Sequence, residues 1–317
     1  MKIQGVLGSL DTGALGQTLM HEHVSCADWS MRMNFGARFF EYDRVLEMAV
    51  GQFNKAKALG VRTVVDGTPV NLGRDARLIR DVAERTGLNF IASSGFYYQE
   101  EPWLAFRDEE QIYDLLMGEC ADGIADTGVK PGILKAGVGR AGLTPLLRKV
   151  LTATGRVAKE TGLPIFCHHD PSIRNGGEIL DLFAACGVPI QRVILGHSGD
   201  TDDLEYLEDM AGRGCYLGMD RFGFCDRDLC LERRVAAIAA LCRKGWSRRL
   251  LLSHDLAAYL AFWDSWEDTK NADWMNLEED YTFIHRRVLP ALRAQGLEQA
   301  NLDRLLVDNP RRFFEGA

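Results

Sequence analysis

Short apolar runs alternate along almost the whole chain with longer stretches whose apolar residues recur every three or four positions. The first pattern is that of buried strands and the second that of helices lying against them. The run at 17–20 is the first strand. A helical stretch at 43–59 stops at Gly60, and residues 61–66 form the next strand. The same order repeats: helix 74–86, strand 89–93, helix 109–125 and strand 132–136. Thr144-Pro145 then opens a helix to 161, as an N-cap followed by proline does. Further on come strand 164–168, helix 177–185, strand 192–195, helix 202–211, strand 215–218, helix 231–243 and strand 249–252. Helices at 278–293 and 302–314 complete the pattern.

Strand–helix alternation of this kind enforces parallel pairing with right-handed crossovers. Eight such units, with no linker or shift in composition between halves, predict one α/β domain over residues 1–317, a closed (β/α)8 TIM barrel. Residues 257–277 read as a long loop after the last strand. Their tryptophans, Trp263, Trp266 and Trp274, mark them as a functional lid.

Composition narrows the function. The 317 residues carry a net charge of −8 and no Lys/Arg block, which excludes the basic footprint of a nucleic-acid binder. The longest apolar runs, such as 235–241, are too short to span a membrane. Residues 1–16 lack the charged start and apolar centre of a secretory signal. The eight cysteines have no C-x-x-C spacing, and several lie in apolar runs as small core residues. A reduced, cytoplasmic protein is the expectation.

The chemistry collects where a barrel builds its active site, at the C-terminal ends of the strands. The first strand delivers His21 and His23, which alternation turns to one face with Glu22 on the other. Lys135 ends the fourth strand, His168 and His169 the fifth, His197 the sixth, and His254-Asp255 the eighth. Six of the seven histidines sit at these ends and only His285 falls on a helix, a sorting that scattered core histidines have no reason to show. Two imidazoles on one strand face suit a divalent zinc, iron, cobalt or nickel ion. A lysine inside Ile133-Leu134-Lys135-Ala136 is costly to bury as an unpaired cation. It needs a counter-charge such as Asp66, or conversion by carbon dioxide to a carbamate that can bridge two cations.

Together, His21-x-His23, Lys135, His168, the segment Ile194-Leu195-Gly196-His197-Ser198-Gly199-Asp200 and Ser253-His254-Asp255 resemble the phosphotriesterase family of the amidohydrolase superfamily, in order and over nearly the whole chain. The resemblance implies a metal-dependent hydrolase with two divalent ions, zinc first and cobalt, manganese or iron as alternatives. It assigns His21, His23 and Asp255 to the buried ion, His168 and His197 to the exposed one, and a carboxylated Lys135 to the bridge. The resemblance of Leu163-Pro164-Ile165-Phe166-Cys167-His168 to the family's fifth strand chooses His168 over His169, and strand alternation allows only one of them to face inward. Asp255 is then also the proton acceptor. Gly218-Met219-Asp220-Arg221-Phe222-Gly223 and Gly95-Phe96-Tyr97 resemble the lactonase-like branch, with Met219 and Phe222 as departures. They imply a lactone or ester substrate contacted by Tyr97 and Arg221, with phosphotriesterase activity weak; the aromatic loop adds Trp263 and Trp266 as apolar contact area for its substituent. A phosphotriesterase, or a hydrolase of another ester or an amide, is the alternative. A homodimer is a further implication of the resemblance.

Two rivals remain. Gly137-x-Gly139-x-x-Gly142 fits a dinucleotide-binding fingerprint, but it follows the fourth strand, and Glu160, some twenty residues on, ends a helix rather than a second strand. A binding protein that kept the fold without catalysis would be expected to lack a ligand, and none is missing.

Overall fold

The computed structural model describes residues 1–223, 229–261 and 280–316. It opens with an antiparallel hairpin, β1 (Lys2–Gly5) and β2 (Gly8–Asp11), within a segment that carried no strand pattern in the sequence. Then come β3 (Gln17–Ala27), β4 (Val61–Asp66), β5 (Asn89–Gly95), β6 (Ile133–Gly137), β7 (Ile165–His168), β8 (Val193–Gly196), β9 (Tyr216–Met219), β10 (Leu250–Leu252) and β11 (Ala257–Ala261). These nine pair in the order β10-β9-β8-β7-β6-β5-β4-β3-β11, every pair parallel. Since β10 and β11 are successive pieces of one passage of chain, the sheet is a closed (β/α)8 barrel.

β11 lies where the sequence suggested the start of a loop. Residues 253–256 break the eighth strand in two, with β10 pairing β9 and β11 pairing β3. The junction is bridged by hydrogen bonds from Asp255 N to His21 O (3.0 Å) and from His23 N to Leu256 O (2.8 Å). A helix at Trp29–Phe35 likewise falls in an expected loop, capped by Asp28 on the amide of Met31. The outer helices Tyr42–Ala58, Ala76–Thr86, Glu109–Asp122, Pro145–Thr161 and Leu231–Arg243 follow the apolar periodicity closely. The last two helices are less regular. Wide turns at Ile284–Val288 and Arg304–Asp308 each precede a proline, Pro290 and Pro310, whose ring cannot continue the ordinary ladder.

Two apolar layers hold the barrel. The larger fills the space between strands and helices. The smaller gathers one residue from each passage of the ring: Met20, Val65, Ile91, Ile133, Phe166, Ile194, Tyr216 and Leu251, closed beneath by Phe313 and Phe314. Strand period two would turn His21 away from the face that Met20 uses. A register shift between Leu19 and Glu22 resolves the conflict. The bulge sends Met20 and His21 inward together and leaves Glu22 on the outer face.

Glu22 is fully buried there. Its Oε1 accepts from Ser253 Oγ (2.8 Å), His254 N (2.9 Å) and His254 Nδ1 (2.7 Å), and its Oε2 from Leu256 N (3.2 Å). Among the described residues no helix is long and apolar enough to cross a membrane.

Glu22→Ala strands four buried donors and should lower stability by roughly 3–5 kcal/mol. Glu178→Ala, which removes the partly exposed 2.8 Å contact with Arg148, should cost under about 0.5 kcal/mol. Urea unfolding of both variants checks this; a Glu22→Ala loss no larger than that of Glu178→Ala would remove the barrel-closing role.

Candidate metal centre

The inner apolar layer is the floor of the site. Lys135 stands two residues beyond Ile133, and His168 two beyond Phe166, so period two keeps each on the inward face. Asp220 and Asp255 lie four beyond Tyr216 and Leu251. The positions between are kept small. A Cβ on Gly67 would lie 2.6 Å from the His21 ring, and one on Gly218 would lie 2.8 Å from Asp220 Oδ2. His197 and Asp255 both adopt left-handed backbone, with φ of 66° and 58°, which costs about 1–2 kcal/mol per residue. Such conformations persist where surrounding contacts impose them.

The side chains form one connected cluster. His21 and His23 turn Nε2 toward Asp255 Oδ1, at 3.3 and 3.0 Å. Their other nitrogens are occupied: His21 Nδ1 lies 3.1 Å from Asp220 Oδ2 and His23 Nδ1 lies 2.8 Å from Thr68 Oγ1. His197 Nδ1 lies 3.1 Å from Asp220 Oδ1. The His168 ring is 4.2 Å from that of His197 and packs against Tyr97 (4.9 Å) and Tyr98 (4.8 Å). His169 takes the opposite direction, bonding Nδ1 to the Gly196 carbonyl and facing Tyr206. Lys135 Nζ lies 2.8 Å from His21 Nε2 and 4.1 Å over the Phe166 ring. It makes no ion pair with a carboxylate among the described residues. Asp66 binds the amides of Val24 and Thr68 instead.

Arg221 reaches the cluster from above. Its Nε donates to Asp255 Oδ2 (3.1 Å) and its Nη1 to Asp200 Oδ2 (2.5 Å). Asp200 is held in turn by the buried Arg234 at 2.8 Å. Tyr97, together with Cys26, Leu72 and Ala257, forms an apolar patch on which Tyr98 and Leu260 pack. Trp263, Trp266 and Trp274 lie outside the described residues.

Burial dominates the electrostatics. It pushes His21 down to about 3, with Lys135 adding to the effect, and holds His168 and His197 well below the usual imidazole range. Burial also brings Lys135 down to about 8. For His23 burial is outweighed by Cys26 and the Asp255 hydrogen bond, which bring it up to about 10. Burial opposes charge on Asp255 too, but His21, His197, the His23 hydrogen bond and Arg221 hold it well below the carboxylate range.

Imidazoles held neutral by burial at His21, His168 and His197, an Asp255 oxygen shared by His21 and His23, and a buried lysine with no carboxylate in ion-pair range among the described residues suit a divalent cation. His21, His23 and Asp255 present ligand atoms within 4.8 Å of one another, as do His21, His197 and Asp220. His168 Nδ1 is buried without a hydrogen-bond partner among the described residues, as an unused donor atom would be. In the sequence reading Asp220 and Asp200 stood only inside family-like segments with no contact assigned to them, and Thr68 and Tyr98 had no role, although Asp220 obeys the same strand-end rule as the histidines. The glycine fingerprint has another use. A Cβ on Gly139 would meet the Tyr98 ring at 2.7 Å, so the glycine seats the tyrosine that packs against His168. The next helix begins only at Pro145.

Known proteins share this arrangement of chain. A "phosphotriesterase homology protein" of Mycobacterium tuberculosis is 38% identical over 97% of this chain and 96% of its own length. The solved structure of the M. tuberculosis phosphotriesterase superposes with a TM-score of 0.92 at 36% identity, covering 99% of this chain and 98% of that one. An aryldialkylphosphatase of Saccharolobus solfataricus is 29% identical (96% of this chain, 97% of the relative). An N-acetyltaurine hydrolase of Bos taurus is 28% identical (99% and 97%). The phosphotriesterase family model matches residues 1–314, and the chain therefore belongs to the phosphotriesterase family of hydrolases.

Proposed function

We propose that this chain opens lactones or related carboxylic esters by hydrolysis at a two-metal centre, with phosphotriester cleavage weak and incidental. The observation that carries the reading is Arg221, clamped between Asp200 and Asp255 at the mouth of the site beside Tyr97. A fixed guanidinium and a phenol kept protonated by burial suit a substrate that develops a single oxyanion. The apolar patch of Tyr97, Leu72 and Ala257 offers contact area for an alkyl or ring substituent. The names of the relatives, aryldialkylphosphatase and N-acetyltaurine hydrolase, keep a phosphoester and an amide as the competing substrates.

His21, His23 and Asp255 would hold one divalent cation, His168 and His197 the other, and a carboxylated Lys135 both. When bound, the pair would supply a hydroxide near neutral pH and polarise the substrate oxygen. The two oxygens of Asp255 divide the remaining work. Oδ1 faces the histidine pair, while Oδ2, aligned by Arg221, takes the proton of the attacking hydroxide as the new carbon–oxygen bond forms. The ring carbon–oxygen bond then breaks, and the proton passes from Asp255 to the departing alkoxide. Tyr97 donates to the lactone oxygen and fixes the ring for attack.

Elemental analysis of protein grown with zinc, cobalt or manganese should find about two metals per chain. Lys135→Ala should lose metal and activity, with partial recovery in a small carboxylic acid. His168→Asn should weaken metal retention far more than His169→Asn; the reverse order would reassign the fifth strand. Full activity with less than one metal per chain would end the two-metal reading.

For γ- and δ-lactones of increasing alkyl length, kcat/KM should rise about fourfold per methylene, from roughly 0.8 kcal/mol of burial each, until the pocket is full. Paraoxon-like triesters should be slower by tenfold or more in the wild type and gain relative to lactones in Arg221→His. Triesters faster than lactones would make the enzyme a phosphotriesterase. An N-acetylated amine assayed beside them tests the amide.

A further inference from the structure

We propose that Asp220 is the positioning residue shared by both halves of the centre: its one carboxylate fixes the proton on Nδ1 of His21 and of His197 and so directs Nε2 of each ring to the metal positions. The inference rests on the metal-centre reading above and adds a residue that the ligand set omits. Asp220 is buried, and each of its oxygens has its own ring. Oδ2 lies 3.1 Å from His21 Nδ1, on the first strand of the ring, and Oδ1 lies 3.1 Å from His197 Nδ1, at the end of the sixth. An ionised carboxylate only accepts, so both nitrogens must donate. A neutral ring that donates through Nδ1 has its lone pair on Nε2.

Two further contacts agree. His21 Nε2 lies 2.8 Å from Lys135 Nζ, which as an ammonium can only donate, so that Nε2 accepts. The backbone N–H of His197 donates to the same Asp220 Oδ1 at 2.8 Å, which fixes the carboxylate's rotation. The closeness of His21, His197 and Asp220 therefore reflects an outer carboxylate orienting two rings rather than a third ligand set. Asp255 also comes near both halves, but it faces Nε2 of His21 and His23 at 3.3 and 3.0 Å and lies 3.8 Å from His197 Nδ1, beyond hydrogen-bond reach; Glu22 meets only His254 among the described histidines.

The fixed rotation makes an isosteric change informative. In Asp220→Asn the His197 N–H claims the one remaining oxygen, and the amide NH2 falls where Oδ2 was. It then faces His21 Nδ1, which can bond to it only as an acceptor. The His21 proton moves to Nε2 and blocks that ring as a ligand, while His197 keeps its tautomer.

The test is titration of chelator-treated wild type and Asp220→Asn with zinc against a competing chelator, with thermal melts of both metal-free proteins. Wild type should take two zinc ions. Asp220→Asn should hold one as before and the other roughly 10- to 100-fold more weakly, with the metal-free melting temperature within a few degrees of wild type. Wild-type affinity for both ions in Asp220→Asn would overturn the inference. Should that variant fail to fold, nitrogen NMR of ¹⁵N-histidine-labelled wild type, metal-free and zinc-loaded, decides. His21 and His197, assigned with single His→Gln variants, should carry their protons on Nδ1; a proton on Nε2 of either ring overturns it. A wild type that binds no zinc would sink the metal-centre reading instead, and the tautomers of the metal-free rings would still decide the role of Asp220.

Discussion

Between His21 and His23, on the opposite face of the same strand, Glu22 gathers the hydrogen bonds that join the last passage of the ring to the first. The ladder is interrupted there because Asp255 has left-handed backbone, so the amides of His254 and Leu256 have no strand partner. A buried amide without an acceptor costs about 1–3 kcal/mol, and the Glu22 carboxylate meets both at once. Ser253 extends the contact, donating to Glu22 while its oxygen accepts from His21 N at 2.8 Å. Tyr281 seals the outer side with contacts of 2.9 Å to the His23 and Leu256 carbonyls. One triplet thus closes the barrel with its middle residue and equips the site with the residues on either side.

Burying so many ionisable groups in one place is tolerable only because most of them are neutral or directly bonded. The imidazoles of His21, His168 and His197 are driven neutral by burial, and Asp220 spreads its charge over two rings and an amide. Phe166 forms the floor, in contact with the His21 ring at 4.1 Å and under Lys135. It keeps the low-dielectric layer just below the polar one. Burial there brings Lys135 down to about 8, against the opposing charges of Asp255 and Asp220.

Strand and helix positions were legible because burial on both faces of a parallel strand writes a continuous apolar run, and each helix writes its own period. Residues 61–66 and 231–243 match the sequence reading residue for residue. The β1–β2 hairpin carried no such signal: only Ile3 and Leu10 of its strands pack on the inner core, and Gly8 turns it. β11 was hidden for a different reason. Its residues, Ala257 to Ala261, follow a break that depends on a carboxylate more than two hundred residues away. The His21–Glu22–His23 alternation was readable, whereas the bulge that lets it follow an inward Met20 was not, because bulges answer to the partner strand. Asp220 was visible only as half of an Asp-Arg pair, since a residue that serves other side chains has no spacing of its own.

Beyond Asp255 the charges alternate: Asp255 Oδ2 meets Arg221, Arg221 meets Asp200, and Asp200 meets Arg234. Arg234 is almost wholly buried and is tied as well to the carbonyls of Leu229 and Gly199, both at 2.7 Å, so the far end of the chain is fixed in the protein frame. An arginine at position 221 can bond two carboxylates at once through a rigid fork, whereas an imidazole there has two nitrogens pointing in opposite directions and a proton that can leave. The guanidinium does not shuttle protons at all. In the proposed reaction, a proton taken by Asp255 would therefore have no route outward along the chain and would return to the substrate's leaving oxygen or to water at the mouth, where Asp255 keeps 13% of its side chain exposed. That restriction would suit the proposed ring opening, whose leaving alkoxide would stay tethered beside the carboxyl group that protonates it.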